Sequence, residues 1–187
     1  MPFTIDKIMD IFPFPTITPI VRSPTYETIS ELHMNLNSNA ASMQSNLEND
    51  AIGLLYTTVS LTVYTTLLAK PFVVPVNPGS EPIIPDGSTV SAIAHLRYFF
   101  KLANEFFTKY DRTDKALLKI LLSAVNKLSV RLFFHHYIGY GRTTTRQILN
   151  QLYAIYGNIL PAELQLKDTK LRTPTAPTTP PKHSIIR

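Results

Sequence analysis

Apolar residues recur at 3- and 4-residue intervals along much of the chain, a period that predicts helices. The first helix is predicted from about Tyr26 to Leu47, with Leu32, Leu36, Met43 and Leu47 on one face. Thr25 is its N-cap. Thr28 stands where a capping box would carry Glu, so the box reads as incomplete. Asn35, Asn37, Asn39 and Asn46 make this a poor helix former that depends on tertiary packing.

Residues 56–69 give two signals. The alternation Thr57–Val59–Leu61–Val63 and the β-branched content suit a strand. Ser60 can instead cap a short helix burying Val63, Tyr64, Leu67 and Leu68. Helix is favoured, because no partner strands are evident to take the backbone hydrogen bonds. Between Pro71 and Gly87, prolines at 75, 78, 82 and 85 exclude both helix and central strand. An extended connection is expected there, laid over the core by Phe72, Val74 and Ile83.

In the second half, Ser88 or Thr89 caps a helix running to about Tyr110. Its stripe is wide: Leu96, Phe99, Phe100, Ala103, Phe106, Phe107 and Tyr110. Asp111 or Thr113 starts a second helix reaching about Tyr137, whose core face carries Leu117, Leu121, Ala124 or Val125, Leu128 and Leu132. IGYG at 138–141 breaks it. Thr144 or Thr145 opens a further helix with Ile148, Leu152 and Ile155–Tyr156 at core spacing, ended by Gly157–Asn158. A short helix from Pro161 to Leu171 follows, and the Pro/Thr-rich run from Thr173 is expected to be disordered. The fold class is therefore all-α, a helical bundle. It divides into an extended Pro-containing arm over 1–24, a helical domain over 25–172 and a disordered tail over 173–187.

Charge refines this picture. Residues 1–90 hold 8 acids against 3 bases, a net −5, whereas residues 91–187 hold 15 bases against 5 acids, a net +10. A basic half suits nucleic acid, an anionic membrane, or the acidic half of a neighbouring copy. The acidic, Pro-interrupted start does not read as a signal or transit peptide. Ala51–Ala69 holds nineteen uncharged residues, but its Thr and Ser content points to a segment of a soluble protein rather than a span. No membrane partner and a cytoplasmic location are expected.

Candidate chemistry is sparse. The chain has no Cys, so disulfides, thiol nucleophiles and Cys-ligated zinc are excluded. His135 and His136 are adjacent, which on a helix splays them about 100° apart, and neither belongs to a metal-ligand motif. No phosphate-binding glycine loop or nucleophile elbow occurs. Glu105 with Asp111, or Asp111 with Asp114, can be put forward as acid/base pairs, but Asp114 beside a helix start is read as capping. No catalytic residue, metal, cofactor or small-molecule substrate is expected. Composition does permit nucleic-acid binding: Lys127, Arg131, Arg142 and Arg146 can converge near the 135–146 turn for phosphate contacts, beside Tyr137 and Tyr140 for stacking on bases.

Four blocks carry a family likeness: PTYETISELHMNLNSNAASMQSNL at 24–47, VSLTVYTTLLAKPFVVPVNPGSEPIIPDGSTVSAIAHLR at 59–97, TDKALLKILLSAV at 113–125, and YIGYGRTTTRQILNQLYAIYGNILPAEL at 137–164. The last includes Gly139, Tyr140, Thr144, Thr145, Arg146, Gln147 and Tyr156–Gly157–Asn158. Over about residues 24–172 the chain resembles the Gag-like proteins of copia-type retrotransposons in algal, diatom and other protist genomes. The resemblance implies an all-helical, capsid-like domain without chemistry of its own that self-associates and packages element RNA. Two features depart from the family pattern. No Cys/His zinc knuckle is present, and ENDAIGL stands at 48–54 where related copies carry a Gly/His-rich stretch. Those departures fit a truncated or decayed copy, or a capsid portion without its nucleic-acid-binding tail. The alternatives are a sequence-independent nucleic-acid-binding module that does not assemble and a host protein-interaction domain.

Overall fold

A computed structural model describes residues 4–45, 52–68 and 71–157. Five α-helices form within them: α1 (Ile5–Ile11), α2 (Tyr26–Ser42), α3 (Leu61–Leu68), α4 (Val90–Ala124) and α5 (Thr145–Tyr156), with 3-10 turns at Leu55–Thr57 and Lys127–Phe133. The described residues form an all-α bundle without a β-sheet, and no helix among them is long and apolar enough to cross a membrane. The helix expected at Pro161–Leu171 and the tail over 173–187 lie outside the described residues.

Residues 5–11 depart from the extended arm expected over 1–24. Thr4 accepts a hydrogen bond from the Lys7 amide and opens α1, which buries Ile8 and packs on α4. Only the chain after α1 is extended, and two contacts pin it. The Ile20 amide donates to the Ala124 carbonyl at 2.8 Å. The Phe14 amide donates to Asn39 Oδ1 at 2.8 Å, and Asn39 Nδ2 returns a bond to the Phe14 carbonyl at 2.7 Å. Asn39 is fully buried, so one of the residues that weakens α2 intrinsically satisfies the extended chain laid across it.

Helix α2 starts at its predicted cap, and the box is complete after all. The Thr28 amide donates to Thr25 Oγ1 at 3.3 Å, and the Thr25 amide donates to Thr28 Oγ1 at 2.9 Å. A second Thr hydroxyl therefore does the work ordinarily given to Glu. The helix stops at Ser42, short of the predicted Leu47, which lies outside the described residues. Buried Gly53, at φ +51°, crosses behind this end. A Cβ there would collide with the carbonyl oxygens of Ala40, Ala41 and Met43.

Ser60 accepts from the Val63 amide at 3.3 Å and opens α3, but α3 buries only Tyr64. Val63 and Leu67, expected in the core, are exposed. In the Pro-rich segment Phe72 alone of the three expected anchors is buried, and Val74 and Ile83 face outward. The anchors that do enter are aromatic: Tyr56 and Phe72 stack at 4.5 Å, Tyr64 meets both edge-on, and Tyr110 lies 5.9 Å from Phe72.

The two helices predicted over 88–137 are one helix of 35 residues, about 52 Å long, followed by a 3-10 helix. No Gly or Pro occurs between Ser88 and Ala124 to break it. The expected second caps are consumed inside the helix. Thr113 Oγ1 donates to the Lys109 carbonyl four residues back at 2.7 Å, and Asp111 pairs with Lys115 at 2.7 Å. Ala116, Leu117, Ile120, Leu121 and Ala124 fill the core against α1, α2 and α5. Residues 90–108 contribute no fully buried side chain.

Two outcomes follow from this packing. Gly53→Ala should cost at least about 2–3 kcal/mol, from its left-handed backbone and the three blocked carbonyls, read as a lower urea midpoint. His33 bonds Tyr153 Oη through Nδ1 at 3.1 Å, and burial holds its pKa below 6.5. The unfolded chain therefore takes up the proton first, so stability should fall as pH drops below 6.5. His33→Gln should lose that share of the acid sensitivity while retaining the rest.

Candidate nucleic-acid interface

The six residues singled out for nucleic-acid contact separate into two environments. Arg146 lies in the first turn of α5 and points inward. Its Nη1 donates to the carbonyls of Val59 and Tyr56 at 3.3 and 3.4 Å, and its guanidinium sits 4.3 Å above the Tyr56 ring. Arg146 thus holds the 3-10 turn at Leu55–Thr57 against α5, a role that charge alone could not distinguish from phosphate binding.

Beside it, α5 is docked on α4 through Asp114. Thr144 caps α5, in a box with Gln147 at 2.9 and 3.3 Å. The next amide, Thr145 N–H, donates to Asp114 Oδ1 at 3.1 Å, and Thr145 Oγ1 donates to the Asp114 carbonyl at 3.0 Å. Asp114 does cap a helix start, but that of α5, from the middle of α4. Burial pushes its pKa up, opposed by the two bonds from Thr145 and the charge of Arg146. The neighbouring Tyr110 hydroxyl is pushed up to about 12, chiefly by burial.

The remaining residues surround the 3-10 helix. Asn126 Oδ1 accepts from the Leu128 amide at 3.0 Å and opens it. With three residues per turn, every third side chain falls in one row. Val130 is buried in one row, while Leu128, Arg131 and Phe134 line a groove in the next. The predicted α-helix to Tyr137 would have placed Leu128 and Leu132 in the core. They are instead 74% and 79% exposed. Lys127, Arg131 and Tyr140 meet in that groove, of about 540 Å³, whose apolar lining includes Leu122 and Val130.

After Phe134 the chain turns back. The His135 and Gly139 backbones exchange hydrogen bonds at 2.9 and 2.8 Å, with Gly139 at φ +57°. Tyr137 is exposed on this turn, and Arg142 is exposed just beyond it. Phe134 meets Tyr140 edge-on at 5.5 Å, where the turn joins the groove. The structure thus unites Lys127, Arg131 and Tyr140, leaves Tyr137 and Arg142 alongside, and takes Arg146 away. Leu128 and Phe134 were missed as site residues. Their common spacing with Arg131 is the signal, legible only once the 3-10 period is known.

The stretch of chain that carries these residues has charge of one sign. The sequence holds no Asp or Glu between Asp114 and Glu163. Lys127, Arg131 and Arg142 form no ion pair among the described residues. No group of three or more His, Asp or Glu among the described residues could hold a metal ion.

Arg146→Ala should lower stability by about 2–3 kcal/mol, because two carbonyls lose a charged donor and Asp114 loses its nearby cation. Asp114→Asn keeps the acceptor for Thr145 but removes the titration. Since the folded pKa of Asp114 is raised, its favourable contribution is present at low pH and is lost as pH rises from 3.8 through the folded value. The stability of the native chain relative to the Asn variant should therefore fall across that rise, measured by urea unfolding at a series of pH values. Comparison with protein-family models, curated proteins and solved structures finds no match.

Proposed function

We propose that this chain is a structural, non-catalytic, Gag/capsid-like protein of a retrotransposon that self-associates and packages element RNA in the cytoplasm. The reading rests on the resemblance of its sequence blocks. The observation that supports it most is the acid-free stretch between Asp114 and Glu163, in which Lys127, Arg131 and Arg142 form no ion pair among the described residues and stand near Tyr137 and Tyr140 in the chain. Exposed cations are available to phosphates, and tyrosine rings near them offer faces on which single-stranded bases stack. A segment lacking carboxylates adds no repulsion along an RNA strand.

A second reading draws on the groove itself. Exposed Leu128 and Phe134 give it apolar walls that a phosphate backbone does not use, whereas an acidic amphipathic helix of a host protein would fill them.

Fluorescence anisotropy with single-stranded RNA separates these readings. Three phosphate contacts predict that log K falls with log salt at a slope of about −2. Lys127→Glu with Arg131→Glu should weaken RNA binding at least tenfold, while Leu128→Ser with Phe134→Ser should change it little. RNA affinity indifferent to salt and to both charge reversals would sink the RNA reading. Loss through the Ser pair alone would favour a protein partner. Light scattering after size exclusion distinguishes an assembling protein from a monomeric nucleic-acid-binding module.

A further inference from the structure

The groove beside the 3-10 helix is apolar where water reaches it. Leu128 and Phe134 stand exposed along it, Leu122 and Val130 complete its apolar lining, and Lys127 and Arg131 add two cations. Exposed side chains of this kind are favoured to be covered. The chain itself brings a cover to the place. Helix α5 packs on the 3-10 helix, and its last residue, Tyr156, holds its hydroxyl 3.4 Å from Ser129 Oγ. Ser129 lies between Leu128 and Val130 in the chain, a third of a turn round the same helix from the groove. The described chain stops one residue later, at Gly157. The residues that follow, NILPAELQL at 158–166, hold four large aliphatic side chains and a single charge, Glu163. Glu163 is also the first carboxylate after Asp114. Three to seven residues beyond Gly157 span up to roughly 10–25 Å, enough to pass round the 3-10 helix.

We propose that residues 159–166 fold back over the groove of their own chain, setting Leu160 and Leu164 against Leu128 and Phe134, and Glu163 against Lys127 and Arg131. The apolar walls are matched by aliphatic side chains. Two cations that form no ion pair among the described residues are matched by a carboxylate. Leu160 and Leu164 are four residues apart with Glu163 beside them, so one helical turn from Pro161 presents all three together. Attachment a few residues away gives the segment a high effective concentration, so a modest contact suffices to hold it. An acidic amphipathic helix from another protein must then displace this segment to enter. Glu163 likewise competes with phosphate for Lys127 and Arg131, a consequence that rests on the RNA reading, whereas the cover itself does not.

The chain has neither Cys nor Trp, so reporters enter the full protein without background. Under mild oxidation, Leu128→Cys with Leu164→Cys should close an intramolecular disulfide about tenfold faster than Leu128→Cys with Thr178→Cys, a control for random encounter. Phe134→Trp should emit as a shielded indole, and adding Leu160→Ser with Leu164→Ser should about double its quenching by acrylamide. The same Ser pair in the native background should tighten RNA binding about threefold, as the fraction of open grooves grows. Cross-linking no faster than the Thr178 control, or an indole whose quenching ignores the Ser pair, overturns the cover. A disulfide that joins two chains assigns the segment to a second copy and overturns folding back within one chain. A cover released with no gain in RNA affinity overturns the competition and leaves the cover standing.

Discussion

The fold turns on the first turn of α5, where Thr145 and Arg146 make contacts to two other parts of the chain, α4 and the segment over residues 56–59. An N-terminal helical turn presents unpaired amides and a partial positive charge, so a carboxylate offered from another element is the natural complement. Asp114 supplies it from α4, and the carbonyl of the same residue accepts the Thr145 hydroxyl. One residue further on, Arg146 reaches the opposite way and gathers the carbonyls of Tyr56 and Val59. Removing any member would leave a neighbour buried without its complement, the most expensive condition for a polar group. Around this junction the aromatic rings of Tyr56, Tyr64, Phe72 and Tyr110 close the layer, which ties the Pro-rich segment to the bundle through Phe72.

This junction also divides α4. Downstream of Lys109 the helix is a core element, enclosed by α1, α2 and α5. Upstream, residues 90–108 carry the same apolar stripe but bury no side chain fully. A helix that is half core and half arm transmits position: whatever holds residues 109–124 also aims residues 90–108. The basic groove lies at the opposite end of α4, reached through Val125 and the 3-10 helix.

The local rules of the chain were legible from sequence wherever they depended on neighbours a few residues apart. Thr25 and Ser60 are helix starts because a hydroxyl can reach the amide three residues on, and of the pairs Ser88/Thr89 and Thr144/Thr145 the structure uses Thr89 and Thr144 in the same way. The prolines between 71 and 87 exclude helix for equally local reasons. The breakers and the caps thus specify an all-α chain and most of its punctuation. Local reasoning failed where two outcomes were both locally satisfied. Asp111 and Thr113 make acceptable caps, but they also make i,i+4 bonds inside a continuing helix, and packing of α4 against three neighbours selects the latter.

What the tertiary structure alone decided was which groups face inward. A stripe of Phe and Leu states that burial would be favourable, not that a surface is present to provide it. Leu117 and Leu121 find that surface, whereas Leu96 and Phe99 do not. An arginine on a sequence can equally meet a phosphate or a backbone carbonyl, and only the position of Tyr56 assigns Arg146 to the second. The change of period after Ala124 rotates Leu128 out of the core and lines it up with Arg131 and Phe134. Periodicity, capping and charge are properties of the chain and could be read from it. Partnership depends on residues 30 to 90 positions away, and distances of that kind exist only in the folded molecule.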